Sequence, residues 1–156
     1  MRTIKFKAKK QDNGQWIIGD LAHSFDGKLY ILGFVEVDDI LVSTGTYPVC
    51  PDTVCQFTGI TDKNGKEIYE GDVLRSDKYP FSCIEDNVRD NYYGLIVWRE
   101  DLLSFFITAV KNPQSSVLGS SEGNIYNIDT DETEDIEVIG SIHDKEWQEK
   151  LNLKDE

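Results

Sequence analysis

Short apolar segments that alternate with polar residues run along most of the chain. In residues 4–9 apolar and basic residues alternate, which is typical of a half-buried β-strand. An Asp-Asn-Gly turn at 12–14 leads into a second strand at 16–18, because Asn-Gly accepts the positive φ angles of a tight hairpin. The pattern therefore predicts an all-β protein. Further strands are predicted at 29–32, 35–42, 53–58, 73–75, 93–98, 104–110, 125–128 and 136–140.

Only the carboxyl-terminal end has a helical pattern. Asp144 is suited to begin a helix over residues 145–151, since aspartate is a favoured N-cap residue. Trp147 and Leu151 are four residues apart and share one face of that helix. The spacing predicts a short helix that packs its tryptophan against the sheet.

The length of the chain allows one ordinary domain or two very small ones. The chain has 156 residues, of which 39% are hydrophobic and 11% aromatic, and this excludes wholesale disorder. No apolar run approaches the ~18 residues of a membrane helix, and no signal-peptide core follows the basic start. We expect a cytoplasmic protein that does not bind membranes.

The charge is strongly negative and unevenly distributed. Sixteen basic and 29 acidic residues give −13, yet the first ten residues hold five basic residues and no acid. The acidic remainder should repel phosphate, so direct nucleic-acid binding is not expected. A protein partner is expected, and a basic one is favoured by charge, although plain solubility also explains the composition. The lysines at positions 5, 7, 9 and 10 could contact phosphate, but they are predicted to protect a sheet edge.

Neither metal binding nor catalysis has a motif in this sequence. Cys50 and Cys55 are separated by four residues and form a poor zinc half-site, with Cys83 and two histidines far away. We expect reduced thiols, no metal and no cofactor. Because no nucleophile is paired with a base, no catalytic residue is proposed and a non-enzymatic protein is expected. A spatial cluster of carboxylates or tyrosines could still form an active site.

The segment at residues 53–75, TVCQFTGITDKNGKEIYEGDVLR, resembles the signature of the YopX-like family. These are small proteins carried by bacteriophages, prophages and other mobile elements. The opening MRTIKFKA and the ending IEVIGSIHD are also similar to the family, whereas Cys55 and the acidic stretch 76–91 depart from it. The resemblance implies an amino-terminal β subdomain over 1–52, then an SH3-like β-barrel with a terminal helix over 53–156, or one continuous domain. The resemblance implies no known activity. It implies that the protein is located in the cytoplasm of a bacterial host.

Two groups of polar residues are candidates for binding. The first consists of signature positions that packing does not require, although hydrogen bonding within a buried turn would also explain them. The second lies in an acidic stretch, residues 129–137, with six acids in nine residues and no central glycine for calcium. That stretch is either a solvated loop or a mimic of DNA phosphates. The candidates are Gln56, Thr58, Thr61, Asp62, Asp131, Glu132, Glu134 and Asp135.

The expected function is a non-enzymatic binding or accessory protein of a bacteriophage, prophage or mobile element. It would dock on a protein partner or on a second copy of itself as a homo-oligomer. One alternative is an acidic DNA-mimic inhibitor of a host nucleic-acid-binding protein. The other is an uncharacterised enzyme, which a pocket with a carboxylate pair would favour.

Overall fold

The computed structural model describes residues 3–76, 92–110, 125–127 and 135–151. Within these ranges the regular elements are strands, apart from one 3₁₀ turn at Pro51–Thr53 and the helix α1 at Lys145–Lys150, so the all-β prediction is confirmed. The strands are β1 (Phe6–Lys9), β2 (Trp16–His23), β3 (Leu29–Val37), β4 (Ile40–Pro48), β5 (Cys55–Thr61), β6 (Glu67–Tyr69), β7 (Asp72–Ser76), β8 (Tyr92–Arg99), β9 (Ser104–Val110), β10 (Ile125–Asn127) and β11 (Ile136–Ser141).

The strands form two sheets. The first has the order β4-β3-β2-β1-β5-β6 and the second has the order β10-β9-β8-β7-β11, with every described pairing antiparallel. The described strands do not close into a barrel, since β10 and β11 lie at opposite edges of the second sheet. The SH3-like barrel stays a prediction.

The chain divides into two compact units, residues 1–59 and 60–156. The division falls inside β5. The core of the first unit centres on Ala8, Ile31 and Val49, each fully buried. Alternate residues of β1, β2 and β3 supply this core, because every second side chain of a strand points to the same face.

Strand β1 is central rather than peripheral. Lys7 lies opposite Ile18 of β2 on one side and Cys55 of β5 on the other. The prediction that the lysines protect a sheet edge is therefore wrong, because β5 returns from a distant part of the sequence to pair with β1. The edge on this side of the sheet is β4.

The segment 35–42, predicted as one extended piece, is a hairpin. Asp38 and Asp39 have φ angles of 51° and 63°, and they reverse the chain between β3 and β4. Two consecutive positive φ angles are what a two-residue hairpin turn requires, and aspartate tolerates them better than most residues. Val35 thus pairs with Val42 and Val37 pairs with Ile40.

The second unit has a core between its strands and a smaller cluster beneath the helix. The larger core contains Ile68, Leu74, Ile96 and Ile107, each at most 1% exposed. Phe105 belongs to this core, and its ring meets that of the exposed Trp98 edge-on across β8 and β9, with centroids 4.9 Å apart. Such cross-strand aromatic pairs add to the stability that burial supplies.

Helix α1 packs on the second sheet through Trp147, as predicted. Trp147 lies with Val73 and Tyr93 in a buried cluster, and its ring centroid is 6.2 Å from that of Tyr93. Asp144 occupies the predicted N-cap position, but its Oδ2 accepts the N–H of Ser141 rather than a helical N–H. Gly140 faces the indole, because a Cβ there would lie 2.0 Å from Trp147 Nε1.

Candidate functional site

Asp62 is a buried structural residue at the β5–β6 turn. Its Oδ1 accepts the N–H groups of Asn64 at 2.8 Å and Lys66 at 2.9 Å. Its Oδ2 accepts the N–H of Val138 in β11 at 2.9 Å. The carboxylate is 5% exposed and has both oxygens occupied by backbone donors, so it holds the hairpin against β11. These contacts agree with the structural explanation of Asp62 given above, namely hydrogen bonding within a buried turn.

The other signature candidates have different environments. Gln56 and Thr58 are two residues apart on β5 and share one face of that strand, where both are half-buried. Thr61, at the end of β5, is exposed. The role of these three residues in binding stays a prediction.

A buried polar cluster that the sequence did not single out follows the same turn. Tyr69 donates its hydroxyl hydrogen to Glu67 Oε2 at 2.6 Å, and the Asp72 carboxylate accepts the Tyr69 N–H at 2.9 Å. Burial raises the pKa of the Tyr69 phenol well above its usual range, and the neighbouring Glu67 and Asp72 carboxylates raise it further. The protonated phenol acts here as a hydrogen-bond donor that fixes the β6–β7 corner.

The acidic stretch is described only at its carboxyl end. Asp131, Glu132 and Glu134 lie outside the described residues, and Asp135 is half-buried. Glu137 Oε2 lies 2.5 Å from Arg75 Nη2 and 3.8 Å from Lys63 Nζ. This carboxylate is therefore partly neutralised by neighbouring cations, which weakens its use as a phosphate mimic.

The lysines of β1 pack on aromatic rings. Lys5 Nζ is 4.8 Å from the centroid of the Phe57 ring, and Lys7 and Lys9 Nζ are 4.9 and 5.2 Å from that of Trp16. Lys10 Nζ lies 5.1 Å from the centre of the Tyr47 ring. Cation–π contacts of this kind stabilise exposed sites by about 0.5–1 kcal/mol each. These lysines therefore contribute to the first sheet whether or not they bind anything else.

The described part of the chain offers neither a cluster of metal ligands nor a membrane-spanning helix. No group of three His, Cys, Asp or Glu residues there is arranged to hold a metal ion. Within the described residues neither Cys50, which is half-buried, nor Cys55, which is 1% exposed, forms a disulfide. No helix within the described ranges is long and apolar enough to cross a bilayer.

Among the described residues, several large hydrophobic side chains are exposed together at the end of the β3–β4 hairpin. We call residues 34–43 the apolar arm. Every residue in it is exposed, and six are large hydrophobic residues that expose between 39% and 71% of their surface. They are Phe34, Val35, Val37, Ile40, Leu41 and Val42. Clustered exposed apolar side chains mark interaction surfaces more often than single ones do.

One face of the apolar arm is entirely aliphatic. Val35 and Val37 of β3 lie directly opposite Val42 and Ile40 of β4, so these four side chains form one patch. The opposite face pairs Phe34 with Ser43 and Glu36 with Leu41. The arm thus presents one apolar and one mixed face, and it can bury apolar surface only against another chain or segment.

A family model described as YopX protein matches residues 5–146. The chain belongs to the YopX protein family. No curated protein matches this chain. Among solved structures, a crystal structure of protein EF1440 from Enterococcus faecalis is similar in fold, with 19% sequence identity and a TM-score of 0.50. The match covers 97% of this chain and 99% of that one.

The sequence pattern of this YopX protein does not predict the apolar arm, because residues 35–42 read as one extended segment. The signal was the Asp-Asp pair that separates two apolar segments, Val35–Val37 and Ile40–Val42. Aspartate at both central positions of a hairpin is less common than Asn-Gly. The Asp-Asp pair is therefore a weak sequence signal for a turn. Once the turn is placed, two apolar strands follow from the sequence, whereas their exposure is known only from the structure.

Proposed function

We propose that this YopX protein is a non-enzymatic binding or accessory protein that docks on a protein partner through the apolar arm. The observation that carries the proposal is the exposure of six large hydrophobic side chains on one hairpin. Exposing them to water is costly, since burying each would contribute roughly 1.5–3 kcal/mol. A partner that covers the arm would recover much of this free energy.

The finer features of the proposal rest on the family. Membership of the YopX protein family supports a role in a bacteriophage, prophage or mobile element, within a bacterial cytoplasm. We also propose that residues 53–141 form an SH3-like barrel. The consecutive antiparallel pairing of β7, β8 and β9, with β11 beside β7, supports that arrangement.

The proposal is tested by affinity capture with arm variants. The tagged full chain is incubated with host lysate, with and without phage infection, and bound proteins are identified by mass spectrometry. We expect Ile40→Ser/Leu41→Ser to lose at least tenfold of any specifically captured protein, including an untagged copy of the chain. The substitutions are at exposed positions, so the fold should be retained.

A matched control is available on the β8–β9 turn. Leu102 and Leu103 are also adjacent and exposed, at 55% and 76%. The variant Leu102→Ser/Leu103→Ser removes a comparable apolar area outside the arm and should leave capture unchanged. Equal capture by the wild type and the arm variant would overturn the proposal.

A further inference from the structure

We propose that Tyr47 is a clamp that fixes the direction of the apolar arm, and that the arm bends at the paired glycines Gly33 and Gly45 when the clamp is released. Tyr47 lies outside the arm, beyond its end at residue 43. A β-bulge, the two opposed glycines and the contacts of the Tyr47 side chain carry the inference. In its consequence for docking, the inference rests on the proposed function.

A β-bulge joins the arm to the rest of the first sheet. Gly33 pairs with Gly45, whereas the next residue of β3, Phe34, pairs with Ser43. Thr44 is therefore an extra residue in β4. A bulge bends its strand and increases the local twist, and it is a specific feature of a fold rather than a defect. The arm thus begins at a bend in the sheet.

The bulge determines which side chains of β4 share a face. Strict alternation would place Ile40 and Val42 on the face opposite to that of Tyr47, whose cross-strand partner Ile31 is fully buried. The extra residue reverses this alternation. Val42 consequently pairs with Val35, which lies on the same side of β3 as Ile31. The aliphatic face of the arm therefore continues the core side of the first sheet.

Glycine is required on both strands at the bend. Gly45 has a φ angle of 123°, which other residues rarely adopt. A Cβ on Gly33 would lie 2.6 Å from Thr44 Oγ1 and 3.0 Å from Ile17 Cδ1. Two opposed glycines make no cross-strand side-chain contact, although such contacts stabilise a sheet. The bend is therefore a point at which the hairpin deforms readily.

The Tyr47 side chain closes this weak point from the core side. Its hydroxyl donates to the carbonyl oxygen of Thr44, the extra residue, at 2.7 Å. Its ring lies over both glycines, since a Cβ on Gly33 would be 3.4 Å from Tyr47 Cε2 and one on Gly45 would be 3.6 Å from Tyr47 Oη. An aromatic ring over a glycine compensates for the missing side chain in a sheet. Tyr47 thus holds the bulge and the glycine pair together.

The clamp is anchored outside the arm. Lys10, directly after β1, places its Nζ 5.1 Å from the centre of the Tyr47 ring. The backbone of Tyr47 pairs with Ile31 in the buried part of β3. Tyr47 is therefore fixed by the buried part of the first unit, and its hydroxyl is the group that reaches the bulge. Removing the hydroxyl alone should release the bend and leave the core intact.

Hydrogen exchange of the purified full chain tests the clamp without any partner. We expect Tyr47→Phe to raise the exchange rates of the hydrogen-bonded arm amides about three- to tenfold, since one hydrogen bond is lost. Exchange in β1 and β2 and the Tm should stay unchanged. Tyr30→Phe, at a half-buried tyrosine of β3 outside the bulge, should leave the arm as in the wild type. Unchanged arm exchange in Tyr47→Phe, or an equal rise throughout the first sheet, would overturn the clamp.

Deletion of Thr44 separates the clamp from a general stabilising contact. The deletion removes the extra residue and its carbonyl group but retains every cross-strand pair of β3 and β4. In this background Tyr47→Phe should no longer accelerate exchange in the arm. An equal acceleration in both backgrounds would show that the hydroxyl acts elsewhere. If circular dichroism shows that the deletion variant is unfolded, the single substitution still decides the proposal.

The capture experiment keeps the two proposals apart. We expect Tyr47→Phe to lower arm-dependent capture about three- to tenfold, because a bent arm no longer continues the core side of the sheet. Accelerated exchange with unchanged capture would overturn the role of the clamp in docking. Unchanged exchange, with capture that still depends on Ile40 and Leu41, would overturn the clamp and leave the proposed function. Capture that ignores Ile40→Ser/Leu41→Ser would overturn the proposed function, while exchange still tests the clamp.

Discussion

Asp62 connects the β5–β6 turn to β11 through three backbone N–H groups. Replacing its carboxylate with a methyl group would leave those donors without their acceptor in a buried site. We expect Asp62→Ala to lower the free energy of unfolding by about 2–4 kcal/mol, and Asp62→Asn by less, because one amide oxygen remains. Urea unfolding measures the difference.

The exposed Asp12 of the first turn provides the control. We expect Asp12→Ala to change stability by less than about 0.5 kcal/mol, as substitutions at exposed positions usually do. Equal stabilities of Asp62→Ala and Asp12→Ala would contradict the structural role of Asp62.

The raised pKa of Tyr69 predicts a pH dependence of stability. In the unfolded chain the phenol ionises near pH 10, whereas the folded protein retains the proton to higher pH because of burial and the carboxylate of Glu67. The folded state then binds more protons, so this contribution is fully present below about pH 10 and is lost above it, by up to about 1.4 kcal/mol per pH unit.

The comparison with Tyr69→Phe isolates this effect from other titrating groups. We expect the stability difference between wild type and Tyr69→Phe, measured by urea unfolding, to be constant from pH 7 to 9 and to shift against the wild type above pH 10. A difference that stays constant to pH 11 would show that Tyr69 titrates normally. Absorbance at 295 nm follows the ionisation itself.

The sequence predicted the features that depend on neighbouring residues, such as turns, but not those that depend on distant contacts. The Asp-Asn-Gly turn at 12–14 was predicted from the sequence, and Gly14 has a φ of 69° there, which glycine adopts without strain. The bond from Val138 to Asp62 joins residues 76 positions apart and was not predictable. The choice between a binding and a turn-forming role for Asp62 depended on that distant contact.

At the scale of elements, helix α1 depends on a glycine in β11. A Cβ at Gly140 would lie 2.0 Å from Trp147 Nε1 and 2.3 Å from Cδ1, closer than real contacts allow. We expect Gly140→Ala to destabilise the protein by more than about 2 kcal/mol and to change tryptophan fluorescence, because the indole must move. Thermal and urea unfolding measure the cost.

A double-mutant cycle provides the control for this prediction. In the Trp147→Ala background the added methyl group no longer meets the indole, so Gly140→Ala should cost less than about 1 kcal/mol. An equal cost in both backgrounds would assign the effect to the backbone of β11, where the pairing with β7 shifts register between Val138 and Gly140.

Element type was easier to predict than element position in the sheets. Alternation located β1, β8, β9 and β11 to within about two residues, because their apolar faces are buried. It failed for the apolar arm, where both faces are exposed and burial imposes no pattern. It also failed for the place of β1 in the sheet, since one strand's sequence does not specify its neighbours.

At the scale of the whole molecule, the net charge of −13 and the apolar arm predict different responses to salt. Binding through the arm is mainly hydrophobic, so we expect the amount of captured partner to change less than threefold between about 0.1 and 0.5 M NaCl. A DNA-mimic would lose binding steeply over that range. Capture at the two salt concentrations distinguishes them.

Neutralising the acidic stretch completes the comparison. Replacing the acids of residues 129–137 with their amides should leave arm-dependent binding intact, with Ile40→Ser/Leu41→Ser as the variant that abolishes it. Salt-sensitive binding that disappears on neutralisation would instead support the DNA-mimic alternative. Retained binding after neutralisation would exclude it.

The central place of β1 has a consequence for the time course of folding. β1 to β4 are joined by short turns and can pair as soon as they are formed, whereas β5 reaches β1 only by closing a long loop. The Lys9 N–H and the Thr53 hydroxyl that it contacts are 44 residues apart. Closing such a loop is slow relative to forming a hairpin. Until it closes, β1 is itself an exposed edge, and it takes the place that β6 has in the complete sheet, opposite the edge at β4.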